Sequence, residues 1–131
     1  MKRNPIEEAK FRADNARLIL KERCLLDEEL NYYENQKFVR KSGRALWRAV
    51  LIALDTVFDI REDRRTKVYI EEYLDSAAKK DEKFAKLIDI GYYVIRVCMG
   101  YDGIQHKPIC DEGFRLGEAI IDRCAAMLQN R

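Results

Sequence analysis

The sequence predicts an all-α fold: an up-and-down antiparallel helical bundle of four main helices and one short helix. Only two prolines and six glycines occur in 131 residues, which is too few for a β protein rich in turns. Hydrophobic residues make up 47% of the chain and charged residues 37%, as expected where helices bury one face and expose long polar side chains. Apolar residues also recur at spacings of three and four, the period of one helix face.

We expect a single domain over residues 1–131, because neither a linker nor an internal repeat divides the chain. The first helix is predicted from Pro5 to about Arg23, with Asn4 as its N-cap. Its buried stripe is mostly alanine, which predicts close packing on a neighbour. Phe11 and Leu18 fall on a different side of this helix. They either pack under a second neighbour or form an exposed seam for a partner.

The segment from Asp27 to Gln36 has no helical stripe and is interpreted as a connection with aromatic anchors at Tyr32 and Tyr33. A long second helix is predicted from Lys37 to about Asp59. From Leu46 to Phe58 it is apolar on almost every side, which is typical of a central helix touched on several faces.

Charged residues, caps, glycines and prolines mark the bounds of the remaining predicted helices. A charged break is predicted at 61–67, a short helix at 68–78, and a helix capped by Asp81 that runs to about Met99. Two glycines at 100 and 103 favour a helix stop. The last helix follows Pro108, and Gly113 and Gly117 on its apolar face predict a close crossing.

The four cysteines include no CxxC pair, and no apolar run has the length of a signal peptide core or a membrane span. We therefore expect a cytoplasmic protein with reduced, buried thiols and no membrane association.

Basic residues gather on one side of the second helix: Lys37, Arg40, Lys41, Arg44 and Arg48. They favour one of two interpretations. The first is a surface that contacts phosphate or RNA, with Trp47 as an aromatic neighbour. The second is a solvated flank whose arginines pair with acids on adjacent helices. The net charge of only +2 favours the second interpretation.

Asp55 is the one acid inside the apolar run of the second helix, and we predict a structural ion pair with Arg48, with Arg96 as the alternative partner. A catalytic carboxylate is the alternative, although no second acid, nucleophile or histidine is placed beside it by the sequence. His106 with Cys98 and Cys110 does not match the tight cysteine spacings of structural zinc sites. We therefore predict no metal, no cofactor and no catalytic residue.

Two stretches of the sequence are similar to known proteins. They are Lys37 to Asp55 (KFVRKSGRALWRAVLIALD), and the GYDG turn with the later GFRLGEAIID. They resemble a family of small uncharacterised bacterial proteins that consist of this one helical domain. More distantly, the helix order resembles HEPN-like bundles, which include RNases, toxins and partner subunits of nucleotidyltransferases. HEPN nucleases carry an Arg and a His separated by four to six residues. Here nine residues separate Arg96 from His106, so the resemblance implies a form without the RNase site.

The function predicted first is a non-catalytic interaction module that forms a homodimer or binds another protein through Phe11, Leu18 and Trp47. The alternative is a HEPN-like domain that binds nucleic acid or nucleotide phosphate through the basic side of the second helix. A third hypothesis, an enzyme, requires Asp55, Arg96 and His106 to converge on one pocket.

Overall fold

The computed structural model describes residues 3–58 and 69–130. Within them the helices are α1 (Pro5–Arg23), α2 (Gln36–Val57), α3 (Tyr69–Lys80), α4 (Glu82–Gly91) and α5 (Lys107–Gln129). Two short antiparallel strands, β1 (Leu26–Asp27) and β2 (Tyr32–Tyr33), lie between α1 and α2. The predicted all-α bundle is confirmed. The predicted charged break at 61–67 lies outside the described residues.

The start of α1 is fixed by local hydrogen bonds. The Asn4 side chain accepts from the Glu7 backbone N–H at 2.9 Å, and the Glu7 carboxylate accepts from the Asn4 backbone N–H at 3.4 Å. This capping box satisfies backbone donors that have no partner within the helix. The buried residues of α1 are Ala9, Ala13, Ala16 and Leu20, which confirms the predicted alanine-rich stripe.

Alanine's small side chain lets α2 approach α1 closely. The buried Ser42 hydroxyl of α2 donates to the Ala16 carbonyl of α1 at 2.8 Å. Further along, the Arg23 guanidinium lies 5.6 Å from the Phe38 ring centroid, so the two helices run antiparallel. α2 also packs against α5 and against the end of the fourth helix, which makes it the central element, as predicted.

The fourth helix departs from the predicted α geometry. It continues without a break beyond Gly91 as π-helical turns over Tyr92–Tyr101, called the π segment below. In these wider turns each backbone N–H donates to the carbonyl oxygen five residues earlier. The Asp102 N–H, for example, donates to the Val97 carbonyl at 2.8 Å. The chain then turns at Gly103, whose φ of +63° favours glycine.

At Gly43, α2 crosses the π segment with the two backbones in close contact. A Cβ atom there would lie 2.6 Å from both the Gly100 backbone nitrogen and the Met99 Cβ. The predicted close crossing of α5 is also confirmed. A Cβ at Gly113 would lie 2.5 Å from Met99 Sδ, and one at Gly117 would lie 3.0 Å from Leu46 Cδ1.

The connection between α1 and α2 differs in one respect from its prediction. Tyr33 is buried and anchors the hairpin, but the Tyr32 side chain is 39% exposed, so Tyr32 is not an anchor. Successive residues of a strand point to opposite sides, which explains the difference. Backbone bonds attach the hairpin to the loop before α5: Tyr33 N to Gln105 O at 2.8 Å, and Lys107 N to Asn31 O at 2.9 Å.

All four cysteines are free thiols and buried, as predicted. Burial disfavours the charged thiolate, and it raises the pKa of Cys24 to about 11 and that of Cys110 and Cys124 to about 12. Among the helices of the described part of the chain, none combines the length and apolarity needed to span a membrane.

Gly43→Ala is expected to lower the free energy of unfolding by about 1–3 kcal/mol, because backbone and Cβ atoms across the crossing have no rotamer that avoids the new methyl group. Gly91→Ala is the matched control. Its Cβ would meet the Ile120 Cδ1 atom at 2.6 Å, the far end of a flexible side chain that is able to rotate away. Urea denaturation measures both variants. A Gly43→Ala protein as stable as Gly91→Ala would contradict the backbone contact.

Candidate functional site

The basic side of α2 divides into residues that hold the fold together and residues that face solvent. Gln36, Arg40 and Arg44 donate hydrogen bonds of 3.2 Å to the carbonyl oxygens of Asp102, Tyr101 and Gly100, in that order. These carbonyls lie at the C-terminal end of the π segment, where backbone acceptors lack helical partners and the helix dipole is negative. Arg40 is therefore a structural residue, and Arg44 has at least a structural role.

Arg44 also borders a cleft of about 580 Å³ between α1, α2 and the π segment. Its lining consists of four arginines and three apolar residues: Arg12, Arg44, Arg48, Arg96, Trp47, Leu51 and Ile52. Among the described residues that line it, none is acidic. We call it the arginine cleft.

The four guanidinium groups of the arginine cleft differ in whether they have ion-pair or hydrogen-bond partners within the described residues. Arg12 pairs with Glu8 at 2.9 Å, and Arg44 donates to the Gly100 carbonyl. Within residues 3–58 and 69–130, neither Arg48 nor Arg96 has an ion-pair or hydrogen-bond partner. Like charges collected in a concave site raise the local positive potential, which attracts anions.

Trp47 is not the surface residue that the sequence predicted. Its side chain is only 3% exposed, and its ring meets the Tyr92 ring edge-on, with centroids 5.5 Å apart. Trp47 follows Gly43 by four residues and so lies on the side of α2 that faces the π segment. It belongs to the wall of the arginine cleft and is too enclosed to stack on a base.

The predicted ion pair between Arg48 and Asp55 is also wrong: no ion pair joins them in the described residues. Seven residues place the two side chains on one side of α2, but about 10.5 Å apart along its axis, which is too far for contact. Asp55 instead accepts a hydrogen bond from the Tyr73 hydroxyl of α3.

Phe11 and Leu18 are exposed, at 42% and 45%, as expected for residues outside the core stripe. The Arg3 guanidinium lies 3.7 Å from the Phe11 ring centroid and covers one face of it. Leu18 borders a second, smaller cleft between α1 and α2. Contact of either side chain with a partner protein stays a prediction.

The residues of the enzyme hypothesis do not converge. Arg96 lines the arginine cleft, Asp55 lines a different cleft beside Ile6 and Leu128, and His106 is exposed at the N-terminus of α5. Cys98 and Cys110 are buried on their helices. In the part of the chain that the structure describes, no three His, Cys, Asp or Glu side chains are grouped as metal ligands.

Fold and site together define a small all-α bundle with a basic cleft between its helices. The chain belongs to the family described as a domain of unknown function (DUF5618), which matches residues 4–126. A solved structure of a protein of unknown function from Dyadobacter fermentans is similar over 95% of both chains, with a TM-score of 0.83 and 27% identity. Comparison with the curated proteins finds no match. The predicted resemblance to uncharacterised bacterial helical proteins is thus confirmed, and the distant resemblance to HEPN-like bundles stays a prediction.

The effect of a substitution on the free energy of unfolding distinguishes the structural basic residues of α2 from those that face solvent. Arg40→Ala is expected to lower the free energy of unfolding by about 1 kcal/mol, because a charged donor to a helix-end carbonyl is lost from a partly exposed site. Lys41→Ala, an exposed neighbour, is the matched control and is expected to change it by less than about 0.5 kcal/mol. Chemical denaturation gives both values. Equal losses would contradict the structural role of Arg40.

Proposed function

We propose that the protein is an anion-binding module that takes phosphate groups of a nucleic acid or a nucleotide into the arginine cleft. One observation carries the proposal. Arg48 of α2 and Arg96 of the π segment line the same cleft, and neither has an acidic partner in the described residues. Structural arginines ordinarily pair with acids or backbone carbonyls, as Arg40 does with Tyr101.

The chemistry of the cleft matches phosphate in two ways. A guanidinium is planar and carries five donors, so it bonds two phosphate oxygens at once. The four arginines come from three different segments, so an anion between them would be contacted from several directions. The cleft volume, about 580 Å³, falls in the range of about 300–1,000 Å³ that ligand sites occupy.

The test measures binding of pyrophosphate and ATP to the whole chain by isothermal titration calorimetry at low salt. Arg48→Gln and Arg96→Gln are each expected to weaken binding about tenfold or more, because each removes a charge-assisted bidentate contact. Arg115→Gln is the matched control, since Arg115 is an exposed arginine of α5 that pairs with Glu112. It is expected to leave binding within about twofold of the wild type, because a distant surface charge adds little.

Absence of wild-type binding to both compounds at low salt would overturn the proposal. A loss in Arg115→Gln as large as that in Arg48→Gln would also contradict it, since binding would then follow net charge and not the cleft.

A second candidate function is self-association through the exposed side of α1, between two copies of this chain. The observation that favours it is the pair Phe11 and Leu18, which are both more than 40% exposed and lie on one side of the helix. In a two-fold dimer, Phe11 of one copy would pack on Leu18 of the other. This candidate ranks second because Arg3 already covers part of Phe11, and single exposed apolar side chains are common.

Sedimentation velocity over a concentration series tests this candidate. Wild-type protein is expected to shift from monomer to dimer as concentration rises, and the Phe11→Ser/Leu18→Ser variant to remain monomeric. Replacing Leu30, which is 71% exposed in the hairpin, by Ser is the control for loss of any exposed apolar side chain. A wild type that stays monomeric throughout would rule out self-association.

A further inference from the structure

A second group of cations lies along the same pair of helices. The Arg23 Cζ, Lys37 Nζ and Lys41 Nζ atoms lie 5.6, 6.0 and 5.9 Å from the centroid of the half-buried Phe38 ring. We call these four residues the Phe38 cluster. The electron-rich face of an aromatic ring attracts cations, so Phe38 offsets part of the repulsion among the three.

The Phe38 cluster borders the smaller cleft between α1 and α2, of about 330 Å³. Its lining includes Arg23, Phe38 and Lys41, together with polar and apolar residues of α1. Among the described residues of that lining, Glu22 is the one acid, and none of the ion pairs of the described residues includes it. The three cations of the Phe38 cluster outnumber this acid, so the electrostatic potential beside the smaller cleft is positive.

The two clefts lie along the same side of the α1–α2 pair. α1 and α2 are antiparallel, so Arg12 and Arg48 meet at one end and Arg23 and Phe38 at the other. Ten residues from Phe38 to Arg48, at 1.5 Å per residue, separate the two groups by about 15 Å. Helical rotation places Lys37, Lys41, Arg44 and Arg48 on a single side of α2.

We propose, resting on the proposed function, that the arginine cleft and the Phe38 cluster form one track that binds a single-stranded nucleic acid. A strand carries a phosphate at every nucleotide, so one chain reaches both groups across about 15 Å. A lone phosphate or pyrophosphate is too short to reach both groups, and it is expected in the arginine cleft, where four guanidinium groups line one site. The groove between two packed helices, whose axes lie about 8–10 Å apart, admits an extended strand more readily than a duplex.

The experiment compares two ligands on the whole chain: pyrophosphate, which tests the arginine cleft, and a fluorescein-labelled 12-nucleotide oligouridylate, which tests the track. Lys37→Gln/Lys41→Gln is expected to weaken oligouridylate binding about tenfold or more and to leave pyrophosphate binding unchanged. Arg48→Gln/Arg96→Gln is expected to weaken both. Both lysines are exposed, so their replacement leaves the core intact, which circular dichroism checks.

Salt dependence gives a second, independent measure. For a single strand the slope of log K against log salt is about −0.7 per phosphate neutralised, so loss of two lysines is expected to reduce the slope by about 1.4. Glu22→Gln is expected to act in the opposite direction and tighten oligouridylate binding severalfold, because it removes a negative charge from the lining of the smaller cleft.

The outcomes separate the two proposals. Intact pyrophosphate binding, with oligouridylate binding unaffected by Lys37→Gln/Lys41→Gln, overturns the track and leaves the arginine cleft as the site. Absence of binding to both pyrophosphate and ATP removes the proposed function, and the track with it. A 12-residue polyglutamate peptide that binds as tightly as the oligouridylate overturns the nucleic-acid assignment in favour of an acidic protein segment.

Discussion

The contact between the backbones of α2 and the π segment at Gly43 determines the geometry of the rest of the structure. A side chain there would push Gly100 and Met99 away, because its Cβ would lie 2.6 Å from atoms of both. The same crossing brings Arg44 within 3.2 Å of the Gly100 carbonyl. One turn further along α2, Trp47 reaches Tyr92 and closes the wall of the arginine cleft. Arg48 and Arg96 face one cleft because the two helices cross this closely.

Features set by local interactions could be predicted from the sequence. The start of α1 depends on Asn4, Pro5 and Glu7, which act within one turn of each other. The central position of α2 follows from its apolar residues on nearly every side, and the alanine stripe of α1 predicts its close packing. In each case the residue's own helix contains the information.

Features set by how helices meet could not be predicted in the same way. Helical rotation places Arg40, Arg44 and Arg48 on one side of α2. It does not predict that Arg40 donates to the Tyr101 carbonyl while Arg48 has no such partner among the described residues. Arg12 lies 36 residues before Arg48 in the sequence and Arg96 lies 48 residues after it, yet all three line the same cleft. The π segment could not be predicted either, because its buried residues follow an ordinary helical spacing.

The basic residues on one face of α2 have different roles. The structure divides the five basic residues of α2 by what each guanidinium or ammonium group contacts. Arg40 donates to a helix-end carbonyl, so its charge stabilises the fold whether or not a ligand is present. Arg48 and Arg96 are different, because like charges sharing a cleft destabilise the free protein. An anion bound between them would reverse that repulsion and stabilise the folded state by mass action. The proposed anion site therefore rests on Arg48 and Arg96, two local charges that a total charge of +2 does not reveal.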